Sequence, residues 1–467
     1  MKVMSPQRPH ARPASETQAW DLCRQGRDLL WRGQAVQGVA CMQRAAHLAP
    51  DNPYIQLNAL THLHYLPQIT RQDLYQGFVS WAQRFVPFAG TIGDYHGSRD
   101  PDRRLRIGYI SPDFYQHSVA FTFEPILDAL DRRDLEVYGY GNVETPDSFT
   151  TRLSGKFERY RDIHGLPLED IVTRIREDHI DILVALAGYT AGHCLEILGC
   201  KPAPIQVDMG GLCTTGLQQI DYRLTDEIYD PRDTQPYYVE RLVYLPGGLS
   251  VYRPPALSPA IAPLPALSGP GLTFGAFNFC GKITDVTLDL WAQVLQRLPT
   301  AHFVLKFKQG DDPAMQTYYF QALEARGIVR QRVEILGTLP YGEHLDLFNR
   351  IDLLLDTTPY NGGVTTLEGL WMGVPTLTLT GQAFVSRAGL SILSRVGLEM
   401  FCSTRIGEVV DKAVAFAGQL SELNQIRLGL RARMLSSPLC DPGRMSRELT
   451  QAYRWMWQHY CEWGQTS

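Results

Sequence analysis

At 467 residues the chain holds about three domains of roughly 150 residues, so a large buried core is within reach. The 44 Lys and Arg against 49 Asp and Glu leave a net charge of −5, without the global positive field that holds nucleic acid or an anionic membrane surface. Hydrophobic residues at 44% with 20% charged residues mark an ordinary globular chain, and the longest apolar stretch, Asp181-Ile-Leu-Val-Ala-Leu-Ala-Gly188, is far too short for a membrane span.

The first 20 residues carry Lys2, Arg8 and Arg12 but are broken by Pro6, Pro9 and Pro13 and lack an apolar segment, which argues against a secretory leader and makes the cytoplasm the expected location. Nine cysteines, odd in number and without a Cys-x-x-Cys pair, read as reduced thiols. From about Glu16 to Phe88 apolar residues recur three and four apart, as in Leu22, Leu29 and Leu30 and again in Val36, Val39, Met42 and Ala46, so residues 1–98 are expected to be helical. Gly33, Ala45 and Pro50 sit at the offsets of one tetratricopeptide repeat, although a generic helical hairpin fits as well.

After the polar linker Tyr95 to Arg104 the texture changes to short β-branched runs separated by amphipathic segments, the habit of a parallel sheet covered by helices. Runs at 105–111, 135–140, 181–185, 204–208, 222–225 and 241–245 predict one α/β unit over 104–253. A proline-rich linker at 254–270 cannot join a sheet interior. Runs at 272–278, 302–308, 333–337, 352–357 and 375–379 predict a second unit over 271–440, and a C-terminal helical segment, 441–467, ends in a helix from Tyr453 to Trp463. The fold class is therefore α/β, two Rossmann-like units facing a cleft, behind an all-α segment. Sugar transferases, periplasmic binding proteins and kinases share that plan, which leaves function open.

The segment Asp356-Thr-Thr-Pro-Tyr-Asn-Gly-Gly-Val-Thr-Thr-Leu-Glu368 reads as a strand, a glycine turn and a helix start, where free N–H groups and the helix dipole receive an anion such as a nucleotide diphosphate. Asn361, Gly362, Gly363, Thr365, Thr366 and Glu368 are the donor-side candidates, and Thr365 with Glu368 also spells a capping box. Lys282, just past the strand ending at Asn278, is placed to neutralise a departing diphosphate or is a surface charge. His344 either stacks on a nucleoside or caps its helix. His117, in Ser111-Pro-Asp-Phe-Tyr-Gln-His117, and Asp113 are candidate proton-handling groups, one of which can instead cap the next helix. His62, His64, His179 and His193 lack metal spacing, and the one Asp-x-Asp, Asp100-Pro-Asp102, lies in the linker, so neither a metal site nor a cofactor is expected. Walker A and Gly-x-Ser-x-Gly motifs are missing from the sequence.

The 105–117 segment, Asp181 to Thr190, Pro202-Ala-Pro-Ile-Gln206, Asp221-Tyr-Arg-Leu-Thr-Asp226, Phe277-Asn278 through Lys282-Ile283 and the stretch through Pro375 together resemble the protein O-GlcNAc transferase/Spindly family of inverting, metal-independent glycosyltransferases, from about Arg104 to the C-terminus. The resemblance implies a GT-B fold and transfer of a sugar from a nucleotide-sugar donor to Ser/Thr hydroxyls of proteins. It makes Lys282 the lysine at the donor diphosphate, His344 the histidine beside the base, Gly362, Gly363, Thr365 and Thr366 the diphosphate cradle, Glu368 the acidic residue near the ribose, and His117 the active-site histidine of the first unit. Gly211-Leu-Cys-Thr-Thr-Gly216 lacks the family's Tyr-Pro-Gly, Phe279 replaces a polar residue, and Val364 interrupts the threonines. UDP-GlcNAc is the favoured donor. GDP-fucose is the alternative, because Glu368 with Leu370-Trp-Met-Gly-Val-Pro375 resembles the Spindly side. A nucleotide-sugar-binding protein without turnover and transfer to a small molecule are the remaining readings.

Overall fold

A computed structural model describes residues 14–86 and 98–463. The basic, proline-broken start with Lys2, Arg8 and Arg12, the linker residues 95–97 and the end of the helical pattern at Phe88 lie outside the described residues.

Strands β1 (Leu105–Ser111), β2 (Leu135–Gly141), β3 (Arg159–Asp162), β4 (Ile182–Ala185), β5 (Ile205–Asp208), β6 (Tyr222–Thr225) and β7 (Arg241–Tyr244) form a seven-stranded sheet in the order β3-β2-β1-β4-β5-β6-β7. Strands β8 (Thr273–Ala276), β9 (His302–Lys306), β10 (Val333–Leu336), β11 (Leu353–Leu355), β12 (Thr376–Leu379) and β13 (Cys402–Ser403) form a six-stranded sheet in the order β10-β9-β8-β11-β12-β13. Pairing is parallel throughout, for example Ile107 beside Val137 and Ile182, and Phe274 beside Phe303 and Leu353. Central strands such as β4 and β11 are buried along their length, which explains their unbroken apolar runs.

Two strands escape the apolar pattern. β3, Arg159-Tyr-Arg-Asp162, pairs only with β2 at the sheet edge and is half-exposed, so it carries charge instead of an apolar run. β13 is two residues long and pairs with β12. The C-terminal helix runs Pro442–Trp463, beginning well before Tyr453; proline stands at its start, where a missing N–H leaves nothing unpaired. This helix returns to the first sheet: Met445, Leu449, Tyr453 and Trp457 share one core with Ile107, Tyr109 and Val137, and the Tyr453 and Tyr109 hydroxyls bond at 3.1 Å.

Strand order reverses between β1 and β4 in the first sheet and between β8 and β11 in the second. At such a reversal the connections leave toward opposite faces and open a crevice at the carboxyl ends, where α/β sheets take ligands. The loops that follow β1 and β8, carrying His117 and Lys282, begin at these two crevices.

The N-terminal helices Ala14–Leu30 and Ala35–Leu48 form a close antiparallel pair, since a side chain at Gly26 or Gly38 would sit 2.6 Å from the other glycine's carbonyl oxygen. Asn52 caps the helix Pro53–His62 by accepting from the Tyr54 and Ile55 N–H groups, and Thr70 with Asp73 closes a capping box on Arg71–Phe85. These helices contact both lobes. Phe78 stacks on Tyr189 at 4.0 Å in the first, and Trp31 meets Phe279 edge-on at 4.7 Å in the second.

Arg71 ties three regions together, donating to Asp230 Oδ1 (2.6 Å), the Tyr229 carbonyl (3.0 Å) and the Gln382 carbonyl (2.5 Å). Asp230 is fully buried beside Arg223. Arg71→Ala therefore leaves a buried carboxylate short of one cation, and urea unfolding is expected to show a loss of about 2 kcal/mol.

Candidate functional site

Directly after β11, an all-leucine strand, comes Asp356, a buried carboxylate. Asp356 Oδ1 accepts from the Gly362 and Thr357 N–H groups, both at 2.8 Å, and Oδ2 accepts from the Thr378 hydroxyl at 2.7 Å. One side chain thus folds the 356–362 turn back on its own strand. A side chain at Gly362 would lie 2.9 Å from Asn278 Oδ1 and 3.0 Å from Thr366 Oγ1, so this turn closes only around glycine.

The helix after the turn runs Val364–Trp371, with Gly363 at its N-cap and no side chain capping it. The expected capping box does not form. Glu368 turns away to accept from His344 Nε2 at 3.1 Å, so the helix start keeps its first N–H groups without a side-chain acceptor. Thr366 is buried, its hydroxyl donating to the Gly362 carbonyl at 3.2 Å, while Thr365 is half-buried at the opening. Asn361 is buried and donates to the Thr357 carbonyl at 2.9 Å, and its Oδ1 has no partner among the described residues.

Lys282 closes the short turn after β8 and reaches this helix start. Its Nζ donates to the Asn361 carbonyl at 2.8 Å and lies 3.8 Å from the centre of the Tyr360 ring. Burial pushes the Lys282 ammonium down to about 8, and the Asp356 charge opposes that shift. Burial likewise raises the Asp356 carboxyl to about 6, against the three hydrogen bonds and the Lys282 charge that favour its ionised form. At neutral pH the pair is an ammonium and a carboxylate, with the carboxylate committed to the turn and the ammonium held at Asn361, two residues before the helix N-cap.

His344 lies inside the helix Tyr341–Leu347, which has Pro340 at its N-cap, so it does not cap that helix. Its ring packs among Phe277, Phe348 and Tyr341, and its Nδ1 is buried without a partner among the described residues. Nε2 lies within hydrogen-bond distance of the Glu368 carboxylate.

In the first lobe His117 caps the helix Ser118–Ala129, its Nδ1 accepting from the Val119 N–H at 3.3 Å and lying 3.6 Å from Asp113 Oδ1. Asp113 is buried, which raises its pKa against the pull of His117 and the Thr190 hydroxyl. The helix-capping role falls to His117, and the two candidates form one unit at the first crevice. The segments after β6 and β12, at the carboxyl ends of the two sheets, touch each other. Ser391 donates to Asp226 Oδ2 (2.9 Å), Arg387 to the Ile228 carbonyl (2.5 Å), and Tyr229 stacks on Phe384 at 4.3 Å.

The structure thus brings Lys282, Asn361, Gly362, Gly363, Thr365 and Thr366 to one helix start and joins His344 to Glu368 beside it, while His117 stands in the other lobe with Asp113. Asp356 and Tyr360 were not among the sequence candidates. An acidic residue directly after an all-leucine strand and ahead of a double glycine is the signal that finds Asp356. The Phe279 ring packs edge-on against Trp31 of the N-terminal helical region. Loop 211–216 is buried: Thr214 and Thr215 donate to Glu240, and Arg223 donates to the Gly211 and Cys213 carbonyls. Burial pushes His62, His64 and His193 down to about 4, so they are neutral core residues. No cluster of three His, Cys, Asp or Glu able to hold a metal ion occurs among the described residues, and no helix there is long and apolar enough to cross a membrane.

Two doubly wound parallel lobes meeting at their carboxyl ends, with an uncapped helix start in the second, define the GT-B fold. A lysine-to-methionine mutant of the O-GlcNAc transferase of Thermobaculum terrenum superposes with a TM-score of 0.90 at 34% identity, covering 95% of this chain and 85% of that one. A sucrose-phosphate synthase of Thermosynechococcus elongatus, at 10% identity and a TM-score of 0.52, shares the fold alone.

The model of glycosyl transferase family 41 matches residues 94–252 and 266–449, and the chain belongs to that family. The probable UDP-N-acetylglucosamine–peptide N-acetylglucosaminyltransferase SPINDLY of Solanum lycopersicum is 36% identical over 419 residues, covering 88% of this chain and 45% of its own length. The corresponding SEC protein of Arabidopsis thaliana is 31% identical over 371 residues, covering 77% of this chain and 38% of its own. The chain therefore spans about half or less of the curated relatives it matches.

Proposed function

We propose that the chain transfers N-acetylglucosamine from UDP-GlcNAc to Ser/Thr hydroxyls of proteins in one inverting displacement, without a metal ion or other cofactor. The observation that carries this reading is the uncapped helix start at Gly363–Thr366 with the Lys282 ammonium beside it, a site matched to a pyrophosphate. The acceptor hydroxyl oxygen attacks the anomeric carbon, the bond from that carbon to the diphosphate oxygen breaks with its electron pair leaving on the diphosphate, and the hydroxyl proton passes to the departing diphosphate. Lys282 and the helix-start N–H groups stabilise the charge that develops there. His344, with its free Nδ1, sits where the nucleoside leads away from the diphosphate, and His117 with Asp113 lies on the acceptor side. The names of the family 41 relatives, two of them peptide N-acetylglucosaminyltransferases, support a protein acceptor and this donor.

A second donor, GDP-fucose, is favoured by Glu368, the Spindly-like residue held against His344. Incubation of the protein with labelled UDP-GlcNAc or GDP-fucose and a cell lysate tests both readings. Label in protein from UDP-GlcNAc, lost in Lys282→Ala, is the expected result. Label from GDP-fucose alone transfers the assignment to the second donor, and nucleotide binding without transfer from either donor contradicts the enzymatic reading.

The site also predicts a pH dependence. A bound pyrophosphate favours the ammonium form of Lys282 and raises its pKa in the complex above the value of about 8 in the free protein. UDP affinity is therefore full below about 8 and falls above it, by up to about tenfold per pH unit, until the pKa of the complex is reached. Calorimetric titration with UDP across neutral to alkaline pH reads this limb directly.

A further inference from the structure

We propose that Tyr65, on the N-terminal helical region, is a positioning residue for Lys282 and acts through Tyr360, so that this region forms one wall of the donor site. The proposal rests on the reading of Lys282 as the cation that meets the donor diphosphate.

A lysine stem has four rotatable bonds, and holding its head at one point requires neighbours that confine it. The confinement comes from the Tyr360 ring, 3.8 Å from Nζ, and from the Asn361 carbonyl. The backbone beneath that ring is fixed, because the Thr357 hydroxyl donates to the Tyr360 carbonyl at 2.6 Å. The ring itself is held from outside the lobe. Tyr65 lies 5.4 Å from it, centre to centre, at an interplanar angle of 33°.

Tyr65 is only 4% exposed and belongs to a small apolar cluster with Leu30 and Ala35, against which Phe279 and Tyr360 pack; this cluster is separate from the cores of both lobes. The turn that carries Lys282 is gripped by the same helices. The Cys280 thiol donates to the Trp31 carbonyl at 3.0 Å, and Phe279, three residues before the lysine, meets the Trp31 ring. The N-terminal helices therefore hold both the turn that carries the ammonium and the ring it rests on. These contacts join residues about 250 to 295 positions apart, and they are made to the turn that carries the cation and to the ring it rests on.

The charged group that acts on the Lys282 ammonium is Asp356, from the segment after β11; the Tyr360 ring of the same segment packs against the ammonium, and Tyr65 from the helices faces Tyr360 and Cys280. Without the Tyr65 ring, Tyr360 gains room, water reaches the ammonium, and the burial that lowers its pKa is relieved.

The test measures the amine without any ligand. Pulsed acylation of the full-length protein at a series of pH values, with Lys282 followed by mass spectrometry, gives the titration midpoint of that amine. The midpoint in Tyr65→Ala is expected to lie ~0.5–1 pH unit above the wild type, with UDP affinity weakened ~3–10-fold. Tyr65→Phe, which keeps the ring, restores both. Phe78→Leu, at the first-lobe contact of the same helical region, is expected to lower the unfolding temperature and leave the Lys282 midpoint within about 0.2 pH unit of wild type, as a merely structural disturbance does. A Lys282 midpoint unchanged in folded Tyr65→Ala, or shifted equally in Phe78→Leu, overturns the proposal. A midpoint that shifts in Tyr65→Ala while the wild-type protein does not bind UDP leaves the brace standing and removes the diphosphate reading instead.

Discussion

Lys282→Ala is expected to reduce the rate of sugar transfer at saturating donor by about 10²–10³, a loss of roughly 3–4 kcal/mol of transition-state stabilisation, the amount one preorganised donor to a developing oxyanion supplies. The substitution takes away the one cation placed against the Asn361 carbonyl and the Tyr360 ring, at the helix start where the leaving charge would collect. Stability changes little by comparison. Deleting the ammonium relieves the desolvation that lowers its pKa, but it also removes the attraction that Asp356 feels, and the two opposing effects are expected to leave unfolding free energy within about 1 kcal/mol of wild type. Initial rates with labelled donor and urea unfolding of the same preparation separate the two effects.

Asp356 carries the second large effect, and two substitutions divide it. Asp356→Ala strands the Gly362 and Thr357 N–H groups and the Thr378 hydroxyl in a buried turn, and a loss of about 3–5 kcal/mol in unfolding free energy is expected. Asp356→Asn keeps an oxygen for the two N–H groups and removes the charge. The ammonium of Lys282 then loses the influence that raises its pKa, and its midpoint falls below about 8. UDP binding by the asparagine variant is accordingly expected to weaken ~3–10-fold at pH 8 and by less at pH 6.5, where the lysine is protonated in both proteins. Equal weakening at both pH values would assign the effect to geometry and not to charge.

Much of this architecture is legible in the sequence, because parallel sheets buried on both faces require unbroken apolar strands. β1 occupies 105–111, as its pattern implies, and β11 falls within the expected run at 352–357. The edge strand β3 is hidden for the same physical reason: exposed on its flank, it is written with Arg159, Arg161 and Asp162. Lys282 and the Gly362–Thr366 turn can be found from the sequence because ligand loops follow the ends of buried strands, whereas the strand order that makes β8 and β11 neighbours comes only from the structure.

The candidate site is less legible where side chains choose between partners. Thr365 and Glu368 have capping-box spacing, yet Glu368 is drawn to His344, 24 positions upstream, and a local motif carries no information about such a competitor. His117 and Asp113 stay equivalent in sequence, and only the backbone at Val119 assigns the cap to the histidine. The burial of loop 211–216 depends on Arg223 and Glu240 from other elements. The contact of Tyr65 with Tyr360 joins residues 295 positions apart and has no counterpart in spacing or periodicity.

The most direct measurement is a crystal structure of the protein grown with UDP. The β-phosphate is expected between the Lys282 Nζ and the N–H groups at the start of the Val364–Trp371 helix, with the nucleoside leading toward His344. Density for UDP elsewhere, or an empty helix start at saturating nucleotide, would contradict the account.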